Sequence, residues 1–449
     1  MTQPEIGGPK ESLFRRAARG SAITGGAYVI GQMMRLASNL ILTRLLVPEA
    51  FGLMTLVSVV LVGMVMFSDV GVAASISQHK RGDDPAFLNT AYTIHAFRGA
   101  MLWLVTCALA VPLARLYSAP ELSQLLPVAG LSLLIAGFNP TRIDTATRHL
   151  LLGRVTVLDL ASQVVSITSM VTLALIFGSV WALVVGALLG ALSRVFMMDA
   201  FLPGDRNRFH WEPAAAHDLI HFGKWIFLST ACGFLLAQGD KTIFGYALSL
   251  NELGIYNIGF FLGSFPLLLA RSVNGRIMIP LYRDHHPASS RQDFLRMRRL
   301  RWLLSGGTVV LLGVLALIGP WLVHLLYDPR YAAAGPILVA VALIQMPEAI
   351  AITYDQSALA AGNSKGFFAL QALRAFGQTL ALILGVQAGG LAGALLAQGL
   401  VLFSLHPAAI VLARWHRCWD VMNDLPLFAL AAAFVAAACW TYGLGLGLH

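Results

Sequence analysis

The sequence predicts an all-α integral membrane fold, made of two six-helix bundles and one additional C-terminal helix. Three observations predict it. Hydrophobic residues make up 57% of the 449 residues and charged residues only 12%, with a mean hydropathy of +0.72; a soluble globular chain carries about a quarter charged residues. The apolar residues gather into thirteen stretches, each near or above the ~20 residues that cross a bilayer as a helix. The chain also echoes itself. The run from Arg44 to Met54 (RLLVPEAFGLM) matches Tyr246 to Tyr256 (YALSLNELGIY), and Leu116-Tyr117 with Pro127-Val128 matches Leu326-Tyr327 with Pro336-Ile337. A membrane protein of two similar halves with a site between them is the usual architecture of a transporter.

The expected spans are 20–45, 51–78, 87–114, 122–147, 154–178, 180–202, 218–246, 253–280, 300–326, 332–360, 366–387, 390–412 and 425–447. The pairs 154–178/180–202 and 366–387/390–412 are joined by very short turns and should be antiparallel hairpins. Spans one to six form the first bundle, residues 1–202. Residues 203–217 link it to the second, 218–412, and residues 413–449 hold a loop and the extra helix.

Lys and Arg set the orientation. One set of loops carries Lys10, Arg15, Arg16 and Arg19, then Lys80 and Arg81, then Arg142, Arg148 and Arg154, then Arg206, Arg208 and Lys224, then a dense run from Arg283 to Arg301, then Lys365, Arg414 and Arg417. The opposite loops hold only Arg44, Arg115 and Arg330. The positive-inside rule puts the N-terminus in the cytoplasm. The net charge of +9 reports this topology and not a nucleic-acid surface. The basic segment Arg283–Arg301 is placed to meet anionic lipid on the inner leaflet. The N-terminal stretch is too long for a signal-peptide core and reads as a retained first helix. Cys107, Cys232, Cys418 and Cys439 are scattered, with neither metal-ligand nor disulfide spacing; no cofactor motif occurs.

Seven basic residues fall inside the spans: Arg35, Arg98, Arg194, Lys241, Arg271, Arg276 and Arg374. Asp69, Asp240, Glu348 and Asp355 are the acidic residues counted at similar depth. A charge at the bilayer centre costs about 2.5–3.5 kcal/mol on insertion scales, so such residues face water or a partner. The excess is positive, which favours an anionic substrate, and Arg forks suit phosphate oxygens. Arg35, Arg98, Lys241, Arg271 and Arg374 are the expected cationic cavity. Asp69, Asp240 and Glu348 are the expected coupling carboxylates or charge partners. Arg271 and Arg276 differ by about 140° around their helix; Arg271 is the one expected to face the cavity, and Arg276 can snorkel. Pro140, Pro347 and the pairs Gly25-Gly26 and Gly306-Gly307 are expected kinks or hinges.

The run Arg44-Leu45-Leu46, Pro48-Glu49, Phe51-Gly52-Leu53, followed by Phe67-Ser68-Asp69-Val70-Gly71 and Gln78, resembles the start of Wzx-type polysaccharide flippases. Asp240-Lys241, Ile243-Phe244-Gly245, Leu253-Gly254-Ile255-Tyr256, Tyr327, Tyr331 and Pro336 are similar to the second half of the same family, within the multidrug/oligosaccharidyl-lipid/polysaccharide (MOP) exporter superfamily. The resemblance covers nearly the whole chain. It implies a MATE/MOP-like V of two bundles in a bacterial inner membrane, with alternating access that carries an undecaprenyl-diphosphate-linked oligosaccharide outward. It also implies other polysaccharide-assembly proteins as partners, and importance for Asp69, Asp240 and Lys241. Two other functions compete. A cation-coupled drug exporter of the same fold fits the positive excess poorly. A membrane polymerase or ligase would need a sizeable outer loop, and no predicted outer loop is long enough.

Overall fold

The computed structural model describes residues 13–69, 71–149, 152–223 and 227–443. Of the residues singled out above, Lys10, Val70 and Lys224, and the side chains of Arg15, Arg16, Arg19, Gln78 and Arg276, lie outside the described residues. Among the described residues there is no strand.

The first half runs α1 (Leu13–Leu45), α2 (Pro48–Phe67), α3 (Val72–Gln78), α4 (Pro85–Leu116), α5 (Leu122–Gly137), α6 (Arg142–Arg148), α7 (Leu152–Phe177) and α8 (Trp181–Phe201). Next come α9 (Pro213–Gly223), α10 (Phe227–Ala247), α11 (Leu250–Asp284), α12 (Arg291–Arg301), α13 (Gly307–Leu326), α14 (Ala334–Ile344), α15 (Met346–Ala360), α16 (Ser364–Ser404), α17 (His406–Trp415) and α18 (Val421–Tyr442). By length and composition, eight helices among the described residues can cross a membrane, or ten if each of two bent pairs is one span. α1 and α10 cover 33 and 21 residues but are less apolar: α1 carries Gln32, Arg35, Ser38 and Asn39, and α10 carries Gln238, Asp240, Lys241 and Thr242. Large apolar side chains point outward, among them Phe97, Phe196, Leu303, Trp321 and Trp440. That exposure suits a lipid surface, and the chain is a multi-pass membrane protein.

Three expected spans are broken. The span 51–78 ends at Phe67, where the Asp69 carboxylate accepts from the Gly71 amide at 2.9 Å and Gly71 turns the chain with φ +68° before α3 begins. That left-handed conformation favours glycine. The span 122–147 bends by 57° between α5 and α6, at Asn139-Pro140, and 332–360 bends by 42° between α14 and α15, beside Pro347. Proline lacks the amide that would carry the helix across. Gly25-Gly26 stays helical within α1. A π turn over Trp302–Gly306 joins α12 to α13, so the basic segment continues a span. Arg291, Arg296 and Arg299 are exposed, but Arg301 is fully buried, 4.8 Å from the Tyr354 ring centroid and donating to the Tyr282 hydroxyl at 2.9 Å.

Both expected hairpins form, each on a left-handed glycine: Gly178 between α7 and α8, and Gly390 inside α16, both with φ +58°. Close packing follows each turn. Gly186 and Gly190 sit against Met170 and Ser166, and Gly385 against the Gly393 backbone. The same neighbours recur in the two halves: α1 packs on α7 as α10 packs on α16, and α4 on α5 as α13 on α14. The halves meet chiefly where α2 crosses α11 and α10. That contact is the centre of the largest core cluster, with Leu46, Leu56, Phe244, Leu253, Tyr256 and Tyr331 almost wholly buried. The segment after α8 is tied down by Glu212, which accepts two hydrogen bonds from Arg81 at 2.8 Å, and by α9 packing Ala215, Ala216 and Leu219 on Val72, Ile76, Phe87 and Ala91.

Candidate functional site

Polar residues recur along α1 at Tyr28, Gln32, Arg35 and Asn39, and along α7 at Asp159, Gln163 and Ser166. Spacings of three and four put each set on one helix face. The two faces line a cavity of about 1000 Å³ that α2, α8, α10 and α11 complete. Arg35, Arg194 and Lys241 all line it, against one carboxylate, Asp159. Arg194 Nε donates to Asp159 Oδ1 at 2.7 Å and Arg194 Nη1 to Asn139 Oδ1 at 3.0 Å. Lys241 Nζ lies 3.2 Å from Asp240 Oδ2 and 4.2 Å from the centre of the Phe260 ring. Arg35 is exposed to the cavity, and its guanidinium has no hydrogen bond or ion pair among the described residues.

The other expected cationic residues lie elsewhere. Arg98 lines a separate cavity of about 290 Å³ with His95, Asp144 and Arg194. Its Nε donates to Ser68 Oγ at 2.9 Å and its Nη2 to the Val65 carbonyl at 3.0 Å, so it satisfies the C-terminal end of α2. Asp69, expected within a span as a coupling carboxylate or charge partner, is exposed at the α2–α3 turn. Arg271 and Arg374 line a third cavity, about 450 Å³, between α10, α11, α15 and α16. Arg271 pairs with Glu348, and Arg374 binds Asp355 through both Nη atoms at 2.5 and 3.1 Å. Asp240 faces this third cavity while Lys241 faces the first, so α10 is the wall between them. The Tyr256 hydroxyl donates to Asp240 Oδ2 at 2.6 Å. The five expected cations are thus divided among three cavities, and the largest brings together Arg35 and Lys241.

Sequence reasoning did not single out Asp159 as a counter-charge or count Asp144 among the buried carboxylates, and it gave no weight to the glutamines. The signal was present: polar residues at helical spacing on α1 and α7 mark a wetted face. Among the described residues no group of His, Cys, Asp and Glu could hold a metal ion.

An all-helical bundle that repeats its own packing around polar cavities is a membrane-transporter fold. It matches an inward-facing multidrug MATE transporter of the MOP superfamily, with a TM-score of 0.62 and 14% identity over 90% of this chain and 96% of that one. It also matches the lipid II flippase MurJ in an inward closed conformation, with a TM-score of 0.70 and 11% identity over 94% and 99%. The chain belongs to the polysaccharide biosynthesis protein family, whose model matches residues 41–336. One curated relative is the amylovoran biosynthesis protein AmsL of Erwinia amylovora, 24% identical over 269 residues, which are 58% of this chain and 67% of AmsL. The curated relatives are matched over 57–77% of their own lengths.

Proposed function

We propose that this chain carries a polyprenyl-diphosphate-linked oligosaccharide across a bacterial inner membrane during surface-polysaccharide assembly, by alternating access of two six-helix bundles, 1–202 and 218–412. Residues 203–217 are the cytoplasmic link and 413–449 an added loop and helix. The N-terminus is cytoplasmic, and the basic face of α12 meets anionic lipid. The flippase carries out no covalent chemistry. Other polysaccharide-assembly proteins supply its substrate and consume its product.

The observation that carries this reading is Arg35, an unpartnered guanidinium in a 1000 Å³ cavity where three cations face one carboxylate. A diphosphate takes bidentate hydrogen bonds from Arg, and Arg35 is free to give them, while Arg194 and Lys241, each already on a carboxylate, add positive charge around the same space. The polyprenyl tail stays in lipid while the glycan enters the wetted interior. The halves meet at residues 46–52 and 249–256, the end that the Lys and Arg distribution places outside, so the cavity is offered to the cytoplasmic side. The family and the names of its relatives support polysaccharide assembly. A cation-coupled exporter would need an anionic cavity, and the largest one is cationic.

The test is complementation in cells lacking the gene, with Arg35→Ala and Arg35→Lys. The expected result is that Ala abolishes surface polysaccharide at normal protein level, the lipid-linked intermediate accumulates inside, and Lys restores part of the export. Full export by Arg35→Ala together with Lys241→Ala would overturn the reading.

A further inference from the structure

We propose that the third cavity, between α10, α11, α15 and α16, is a glycan subsite for uncharged sugar, distinct from the cationic cavity that holds the diphosphate. This rests on the transport of a lipid-linked glycan proposed above and adds which part of the substrate goes where, and which sugars are refused.

The cavity's charges are already spent on each other. Arg271 is on Glu348, Arg374 is on Asp355, and Asp240 takes Lys241 and the Tyr256 hydroxyl. A phosphate or a uronate would have to displace a carboxylate from an arginine. A cation would have to displace an arginine or lysine from a carboxylate. At Arg374–Asp355 and Lys241–Asp240 either exchange breaks a buried pair, which is strongly unfavourable; Arg271, half exposed, would still have to share its guanidinium with Glu348. The hydrogen-bonding groups left over are neutral amides. Gln356, Gln371, Gln378 and Gln398 line the cavity, and their side chains have no hydrogen-bond partner among the described residues. Gln378 is only 9% exposed, and its amide opens to the cavity without a hydrogen-bond partner among the described residues. Gln345 Oε1 and Asn274 Oδ1, in the same lining, are likewise buried and unpartnered. Leaving such groups unpaired costs about 1–3 kcal/mol each, a cost that a ligand relieves.

Amides carry both donors and acceptors. Sugar hydroxyls and acetamido groups need both and carry no charge. At about 450 Å³ the cavity lies within the range of small-molecule sites, roughly 300–1,000 Å³, and admits a short saccharide. The two cavities share α10 and α11: Lys241 and Phe261 face the first, Asp240 and Phe260 the third. A substrate with its diphosphate on the Arg35 side therefore has a sugar-binding surface one helix away.

The experiment measures binding of three probes to the full-length protein in nanodiscs: a polyprenyl diphosphate, the same carrier bearing glucose, and the same carrier bearing glucuronate. The proposal expects glucose to tighten binding over the bare carrier and glucuronate not to. Gln371→Leu with Gln378→Leu should bring the glucose probe down to the bare carrier's affinity and leave the bare carrier unchanged. Arg35→Ala should weaken all three probes by the same factor. The subsite is overturned if the glutamine variant still prefers the glucose probe, if it weakens the bare carrier equally, or if glucuronate binds as tightly as glucose. Failure of the wild type to bind any of the three overturns the diphosphate-lipid reading itself, and the subsite with it. A folding check by thermal unfolding accompanies each variant; should the double variant fail it, Gln371→Glu, which keeps the size and makes the wall anionic, must still lose the glucose preference.

Discussion

Gly52 on α2 and Gly254 on α11 occupy each other's approach: a Cβ on Gly52 would fall 2.0 Å from the Leu250 carbonyl oxygen, and one on Gly254 2.0 Å from the Pro48 carbonyl oxygen. The relation is reciprocal because the two residues are matching positions of the internal repeat. The repeat motifs thus meet at a point of approximate two-fold symmetry and bring two helix starts into backbone contact. Glu49 and Asn251 stand beside it, with Asn251 Nδ2 donating to Glu49 Oε1 at 2.7 Å.

Gly52→Ala cannot keep this contact, since a Cβ has no room against a backbone oxygen. The expected outcome is separation of the halves at this end. It is measured by disulfide formation in a Glu49→Cys/Asn251→Cys pair: efficient in the parent, and down roughly tenfold with Gly52→Ala, equivalent to about 1.4 kcal/mol against the closed state. An unchanged cross-linking yield would show that the crossing is not held by this glycine.

Arg98 is hydrogen-bonded to the end of α2, and we propose that this support, more than substrate binding, is its role. Arg98→Ala removes donors from Ser68 Oγ and the Val65 carbonyl and should cost about 1–3 kcal/mol in thermal unfolding. Affinity for a polyprenyl diphosphate should stay at the parent value in variants that remain folded. A selective loss of that affinity without a loss of stability would place Arg98 in the binding site.

Arg374 and Asp355 act as one unit. Arg374 is 7% exposed, so Arg374→Met alone leaves a carboxylate in a tight polar space and should destabilise by about 3–5 kcal/mol. Arg374→Met with Asp355→Leu should recover most of that loss. Unfolding of the two variants in the same detergent decides it; equal destabilisation of single and double variants would show that the pair holds no such coupling.

The clasp between Arg81 and Glu212 is titratable from outside the membrane. Hydrogen bonds from Arg81 hold both Asp84 and Glu212 below their ordinary values. A carboxyl lowered in the folded state contributes fully above its ordinary value, here about 4.5 for Glu212, and the contribution is lost as pH falls through the lowered value. Amide protection factors in residues 205–217, corrected for the intrinsic pH dependence of exchange, should therefore be flat at neutral pH and fall in acid. Glu212→Gln should lower protection at neutral pH and remove the acid step that belongs to Glu212.

Gly178 and Gly390 turn the two hairpins in left-handed conformation. Replacing either by Val should cost on the order of 1–2 kcal/mol from backbone strain, with no neighbour within 4 Å to clash. Equal losses at the two positions, read from thermal unfolding, would show that the turns do the same work in each half.

The sequence alone determined the membrane class, the helical character of the apolar stretches, both hairpins and the internal repeat, though not where three of the expected spans break. These follow from local terms: apolar length against bilayer thickness, proline and glycine at fixed points, and the match of Arg44–Met54 to Tyr246–Tyr256. It also located the charges that needed explaining. What it could not determine was which charges share a space. Arg35 and Lys241 lie far apart in sequence and converge because α1 and α10 wall one cavity. Arg98, Arg271 and Arg374 look equivalent in sequence, yet each is bound to a partner elsewhere. Asp69 looked buried until the chain broke at Gly71. Whether a cation is free or neutralised depends on a side chain from another helix within about 4 Å. Only the packing of helices against one another sets that distance.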